Sequence, residues 1–253
     1  MREWLITNGI GGYAASTDIG GMNIRRYHGL LIAPLNPPSQ RKLILSKVDE
    51  SIEIHGVNYN LFTNSTSNMV TEGYTFLKEF EKEIIPIYKF NVLNTKIEKS
   101  ICMLYGKNAV IVHYKIKNQD SKSKFKITPL INNRDFHSLT KEKTFSYTQK
   151  KDVDRVQISF NQEEECKINM CVKSSNYIEH DNDIFYNMFY KTEHDRGFDC
   201  FENHIVPGTF EIELEPNENK ELTFVCSLEG KNGIDFDSIL KVNGKKVIDN
   251  EYL

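Results

Sequence analysis

Residues 96–117, Lys-Ile-Glu-Lys-Ser-Ile-Cys-Met-Leu-Tyr-Gly-Lys-Asn-Ala-Val-Ile-Val-His-Tyr-Lys-Ile-Lys, decide the fold. Ile97, Ile101 and Met103 fall on one side of an extended chain and Lys96, Glu98 and Ser100 on the other. This period of two marks a half-buried antiparallel strand. Tyr105-Gly-Lys-Asn108 reads as a turn, and 109–117 is the β-rich return strand. Phe210-Glu-Ile-Glu-Leu-Glu215 repeats the alternation. Working outward, short β-rich runs occur at 87–92, 124–131, 144–149, 155–160, 167–173, 209–215 and 221–227, with turn signals at 118–121 and 215–219. Towards the N-terminus, strands are expected at 30–33, 43–47 and 51–55, and His55-Gly56 turns the last of these into 57–61. The stretch 74–85 is read as strand, although Phe76, Phe80 and Ile84 also suit a helix.

Strands this close together, joined by turns, predict an all-β fold: a large antiparallel β-sandwich (a supersandwich) with few or no helices. No linker, low-complexity tract or repeat divides the chain. We expect a single domain over 1–253, with the sandwich proper at 1–229 and a polar C-terminal tail or hairpin at 230–253, centred on Val242-Asn-Gly-Lys-Lys-Val247.

The 253 residues are 39% hydrophobic and 26% charged, with a net charge of −3. This is enough chain for a real core without a metal or disulfide staple. No apolar run approaches a membrane span, and Met1-Arg-Glu-Trp-Leu5 is not a secretory signal. A pI near 6.2 without a basic stripe argues against nucleic acid as a partner. Alanine occurs only at 14, 15, 33 and 109, which favours strand over helix. Five cysteines without a C-x-x-C pair fit a reduced, cytoplasmic compartment, and Cys102, Cys166, Cys171 and Cys226 read as small buried hydrophobes. Only seven of the 32 basic residues are arginine. A lysine-default surface reserves arginine for places that need a planar fork, so the arginines indicate where to look.

Four blocks stand out. In Trp4-Leu-Ile-Thr-Asn-Gly-Ile-Gly-Gly-Tyr-Ala14, Gly9, Gly11 and Ala14 match G-x-G-x-x-A. A dinucleotide loop needs a helix starting at the second glycine, and the continuation through Gly20-Gly21 cannot supply one. The glycines read instead as a tight turn with positive φ. Asn23-Ile-Arg-Arg-Tyr-His-Gly-Leu-Leu31 sets two arginines, a tyrosine and a histidine at the mouth of an apolar strand, where they either bond each other or face a ligand. Pro129-Leu-Ile-Asn-Asn-Arg-Asp-Phe-His-Ser138 ends a strand in a polar cluster around Phe136, suited to hydroxyl-rich ligands or to a self-satisfied loop. The fourth block runs from Tyr190 to Glu202 and continues into Pro207-Gly-Thr-Phe210. His180-Asp-Asn-Asp183 and His194-Asp195 lack a recognised ligand spacing and read as solvated turns. We expect no metal and no cofactor.

W-L-x-T-N-G-x-G-G-Y at 4–13, R-R-Y-H-G-L-L at 25–31, L-x-N-x-R-D-F-H-S at 130–138 and E-x-x-R-G-x-D-x-x-E-x-x-x-x-P-G-x-F at 193–210 follow one another in an order that resembles the N-terminal domain of bacterial and archaeal glycogen debranching enzymes (amylo-α-1,6-glucosidases). Two departures are the longer spacing between Ala14 and Asn23 and the presence of Asn133 where an aromatic is common. The resemblance implies a sandwich packed against a C-terminal (α/α)₆ barrel that carries the acid and base carboxylates, and no helical repeat for such a barrel follows here. It therefore implies a non-catalytic domain that helps bind α-glucan (glycogen or a maltooligosaccharide) and docks the barrel. The candidates for substrate binding or domain contact are Arg26, Tyr27, His28, Asn132, Arg134, Asp135, His137, Arg196 and Glu202. Autonomous hydrolysis would need a carboxylate pair such as Asp135 with Glu193, Asp199 or Glu202. The alternatives are a protein-interaction module without sugar binding and a self-contained sugar-modifying enzyme.

Overall fold

The structure, a computed structural model, describes residues 1–152, 154–161 and 163–230, with the backbone alone at 163–165. The hairpin expected at 242–247 lies outside the described residues. In chain order the strands are β1 Glu3–Thr7, β2 Tyr13–Thr17, β3 Gly29–Asn36, β4 Ser39–Ile54, β5 Val57–Asn60, β6 Thr63–Ser65, β7 Val70–Glu72, β8 Leu77–Lys82, β9 Pro86–Val92 and β10 Thr95–Met103. They continue with β11 Ala109–Lys117, β12 Ser123–Asp135, β13 Tyr147–Asp152, β14 Arg155–Phe160, β15 Glu163–Val172, β16 Asn176–Glu179, β17 Ile184–Phe189, β18 Phe201–Ile205, β19 Gly208–Leu214 and β20 Asn219–Ser227. One short helix, α1, spans Lys191–Asp195. Strand makes up 61% and helix 4% of the described residues, as the alternation predicted.

Two large antiparallel sheets form the sandwich. The ten-stranded sheet runs β1-β2-β3-β4-β12-β18-β17, with β19 beside β12, β16 beside β19 and β5 beside β4. The eight-stranded sheet runs β13-β14-β15-β20-β11-β10-β9-β8, and β6 and β7 form a separate hairpin. The long strands β4 and β12 pair with each other along their length and form the spine of the larger sheet. Each takes two partners on its outer side: β3 then β5 for β4, and β19 then β18 for β12.

In β9, Pro86, Tyr88, Phe90 and Val92 alternate inward, as expected for a strand with one face on the core. The residues meeting between the sheets include Val48, Ile52, Phe90, Val112, Phe125, Ile127, Phe210 and Phe224. Each large side chain so buried stabilises the fold by roughly 1.5–3 kcal/mol. Polar ties cross the same layer. Glu50 of β4 accepts from Tyr114 Oη at 2.6 Å and pairs with Lys99 Nζ at 2.6 Å, both from the other sheet. Trp4 Nε1 donates to Tyr88 Oη at 2.6 Å, and Tyr88 Oη donates to the Thr17 carbonyl at 2.6 Å.

Several element boundaries differ from expectation. The strands expected at 43–47 and 51–55 are one sixteen-residue strand, β4. Its outward residues Lys47 and Asp49 are polar yet buried, because the β6–β7 hairpin covers them: Lys47 Nζ donates to the Thr63 carbonyl at 2.9 Å, and Asn64 Nδ2 donates to Asp49 at 2.6 Å. The stretch 74–85 splits into a 3₁₀ turn, Gly73–Phe76, and β8. Gly73 donates to the Phe62 carbonyl at 3.1 Å, and a Cβ there would lie 2.2 Å from that oxygen, so only glycine fits. The strand expected at 144–149 is displaced to Tyr147–Asp152. The His55-Gly56 turn forms as read, with φ of 52° and 76°.

Candidate functional site

β12 ends in an irregular register between Ile131 and Arg134. There Asn132 and Arg134 join a buried network with Glu202 and His204 of β18, which sit two residues apart and so share a face. Glu202 accepts from Arg134 Nε, from Arg134 Nη2 at 2.9 Å, from Tyr190 Oη at 2.5 Å and from the Thr140 amide at 3.0 Å. Asn132 Nδ2 lies 3.5 Å from Glu202, 3.2 Å from the Asn203 carbonyl and 3.3 Å from His204 Nδ1, while Asn132 Oδ1 accepts from Thr140 Oγ1 at 2.8 Å.

Burial works to raise the pKa of Glu202, but His204, Arg134 and Tyr190 outweigh it and hold the carboxyl below the usual range. Burial, reinforced by the positive charges of Arg134 and Lys47, pushes His204 down to about 4 despite the opposing pull of Glu202, so the imidazole is neutral near pH 7. With its carboxylate oxygens taken up by these donors and 1% of the residue exposed, Glu202 is placed to hold the Arg134 guanidinium.

Arg134 carries this order outward. Its Nη2 donates to the Arg26 carbonyl at 2.8 Å and its Nη1 to the Asp135 carbonyl at 3.1 Å. Arg26 then reaches the His137 carbonyl at 3.0 Å and the Asp199 carbonyl at 3.3 Å, and its Nε lies 3.3 Å from Glu193 of α1. Arg26 Nε and Glu193 Oε1 are buried atoms without a hydrogen-bond partner among the described residues, so this corner retains unused polar capacity.

Above the network lies a partly exposed rim. Tyr27 meets Phe136 and His137 edge-on, each at 5.7 Å between ring centroids, and its hydroxyl lies 3.2 Å from His137 Nδ1. Phe198 is 52% exposed, with the guanidinium groups of Arg196 at 5.1 Å and Arg26 at 5.7 Å from its ring. Asp135 caps the loop by accepting the His137 amide at 2.8 Å.

The nine candidates thus separate by role. Asn132, Arg134 and Glu202 form the buried network; Arg26 bridges network and rim; Tyr27, Asp135, His137 and Arg196 lie on the rim. His28 turns away from it: buried, it takes the Ile24 amide on Nδ1 at 3.3 Å and meets Glu3 through Nε2 at 3.0 Å, while Arg25 grips the same carboxylate at 2.7 and 2.9 Å. Four contributors were missed from the sequence: Tyr190, His204, Thr140 and Phe198. His204 had a usable signal, its two-residue spacing from Glu202; Tyr190 and Thr140 meet Glu202 only through the tertiary fold.

The glycine block takes the turn reading. Gly9 and Gly11 have φ of 78° and 98°, and the chain continues into β2 rather than a helix. Buried Asn8 pins the loop by accepting the Gly12 amide at 2.8 Å and donating to the Lys107 carbonyl at 2.9 Å. Among the described residues no three His, Cys, Asp or Glu side chains converge as a metal site requires.

A sequence model of the family described as glycogen debranching enzyme N terminal matches residues 2–221. No curated protein matches. Matching solved structures include a bacterial glucoamylase complexed with acarbose, 11% identical at a TM-score of 0.46, covering 98% of this chain and 34% of that one. Another is a polysaccharide lyase, 8% identical at a TM-score of 0.37, covering 90% of this chain and 32% of that one. This chain therefore spans about a third of the length of each.

Proposed function

The chain belongs to the glycogen debranching enzyme N-terminal family, and from that premise we propose that it is the accessory, non-catalytic part of such an enzyme. Its rim of Arg26, Tyr27, Phe136, His137, Arg196 and Phe198 contacts α-glucan and helps shape the cleft of a catalytic (α/α)₆ barrel docked beside it. One observation supports this above the others: three blocks far apart in sequence, 25–31, 130–138 and 193–210, meet through Arg134 and Arg26 and present their aromatic and cationic side chains together. Exposed aromatic faces beside hydrogen-bonding groups suit the apolar faces and hydroxyls of a sugar. No helix among the described residues is long and apolar enough to cross a membrane, and five cysteines without a C-x-x-C pair support a cytoplasmic setting.

Isothermal titration of the chain with maltooligosaccharides tests the reading. Arg134→Ala is a poor reporter, because it leaves Glu202 buried and uncompensated and so unsettles the fold. Tyr27→Ala/Phe198→Ala removes rim surface instead. Saccharide affinity is expected to fall about tenfold, roughly 1.4 kcal/mol, at an unchanged unfolding midpoint. Absence of saccharide binding by the unaltered chain would sink the glucan role, and steady release of glucose from a branched dextrin would sink the non-catalytic one.

A further inference from the structure

The glycine block does more than turn the chain. The Gly106 amide donates to the Asn8 carbonyl at 2.7 Å, which braces the loop against the turn between β10 and β11. At Gly11, where φ is 98°, a Cβ would lie 2.9 Å from Pro38 Cα of the β3–β4 hairpin. Glycine lets the backbone pass this close in that conformation, and the passage brings the Gly11 carbonyl to β4. There it accepts from Arg41 Nε at 2.6 Å.

Arg41 ties the block to the rim. Its own carbonyl accepts the Phe136 amide at 3.1 Å, and its guanidinium lies 5.6 Å from the centre of the Phe136 ring. Tyr27 and His137 pack on the same ring, His137 at 4.0 Å between centroids. Tyr13 makes a second tie by donating its hydroxyl to the Tyr27 carbonyl at 3.0 Å. Burial pushes that phenol up to about 12, with the positive charges of Arg41 and Arg134 pulling against it. What sets Arg41 apart is its charge balance. Arg26 pairs with Glu193 and Arg134 with Glu202. No carboxylate among the described residues pairs with Arg41, and its two Nη groups donate to none of them. A half-buried guanidinium thus keeps four N–H bonds for an outside partner. Its Nε bond and the ring beside it hold the fork in one orientation, so little freedom is lost when it binds. The rings of Phe136 and Tyr27 add an apolar face that a small anion would not use and a sugar ring would.

We propose that Arg41 is a further saccharide contact of the rim. Its two Nη groups donate to neighbouring hydroxyls of a sugar packed on Phe136 and Tyr27, and the glycine block is the strut that orients it through the Gly11 carbonyl. This rests on the α-glucan reading of the rim and adds to it a residue outside the three blocks that meet there.

Arginine chemistry tests the contact. The full, unaltered chain is treated with phenylglyoxal, with and without maltoheptaose, and the modified arginines are located by peptide mass spectrometry. Arg41 is expected to react in the free chain and to react about tenfold more slowly at a saccharide concentration of about ten times Kd. Arg2, whose side chain is 79% exposed, should react equally in both. Isothermal titration supplies the second measurement. Arg41→Met keeps the stem beside Phe136 but removes the donors, and its Kd for maltoheptaose should rise about tenfold. Arg41→Lys keeps the charge without the fork and should recover only part of that loss. Arg41 reacting equally with and without a saccharide that binds would overturn the proposal and leave the rim reading standing, as would an unchanged Kd in Arg41→Met. An Arg41 inert in the free chain, or an Arg2 protected to the same extent, would overturn it too. The labelling arm decides the matter even where Arg41→Met fails to fold. Absence of saccharide binding by the unaltered chain removes the rim reading first, and this contact with it.

Discussion

Arg134 and Glu202 show how one ion pair can organise a surface it does not itself expose. Glu202 fixes the guanidinium, and the guanidinium fixes the carbonyls of Arg26 and Asp135 from which the rim loops depart. The scarcity of arginine pointed to this position, and the two-residue spacing of Glu202 and His204 could have pointed to its neighbour. The donation from Tyr190 to Glu202 was not legible, because it depends on how the short α1 segment folds back. His204 also sets a pH dependence. Folded, its pKa is about 4; in the unfolded chain it is near 6.5. Between those values the unfolded chain binds a proton that the folded chain does not, so stability falls as pH drops from about 6.5 towards 4, by up to about 3 kcal/mol. Glu202 has a depressed folded pKa, so its contribution is present above the ordinary carboxyl range and disappears only as pH falls through that lower value. His204→Gln is therefore expected to flatten the fall in urea midpoint between pH 6.5 and 4.5. His28 and His113, also held low by burial, leave a residual slope. A variant whose midpoint falls as steeply as that of the unaltered chain rules out His204 as the source.

Among the elements, strands with one wet face were the legible ones. β9 and β19 alternate, and the alternation placed them. β4 alternates poorly because it is covered on both faces, by the opposite sheet and by the β6–β7 hairpin, so its middle read as a gap between two strands. β16, β17 and β18 are short and framed by polar residues, and they join the sheet through pairing of β16 with β19, β18 with β12 and β17 with β18. The glycine block carried a local signal for a turn and for φ above zero, but not the surfaces it touches. Gly11 has φ of 98°, and a Cβ there would lie 2.9 Å from Pro38 Cα in the β3–β4 hairpin, whereas Gly21, with φ of 67°, has nothing within 4 Å. Gly21→Ala is expected to cost about 1 kcal/mol for the backbone alone. Gly11→Ala adds a steric clash to that strain and should cost about 2–3 kcal/mol. Thermal unfolding of the two variants side by side gives the comparison; equal losses would mean that the loop does not brace against Pro38.

For the whole molecule, the question is whether two sheets of ten and eight strands behave as one body, as the absence of any linker in the sequence suggested. The ties between them argue that they do. Glu50 from the larger sheet is buried against Lys99 and Tyr114 of the smaller, and Trp4, the only tryptophan, reaches across to Tyr88. Trp4 fluorescence therefore reports the layer between the sheets, while far-UV circular dichroism reports the strands of both. In guanidinium chloride the two signals are expected to fall along one curve. The buried ion pair sharpens the test. Lys99→Met leaves the Glu50 carboxylate in the core with the Tyr114 hydroxyl as its donor, and should cost about 3–5 kcal/mol, whereas Lys99→Met/Glu50→Leu removes the stranded charge as well and should cost less than the single change. Both variants should move the fluorescence and dichroism curves by the same amount, because the pair belongs to neither sheet alone. Separate curves in the unaltered chain, or a shift in only one signal in the variants, would mean that the sheets unfold independently.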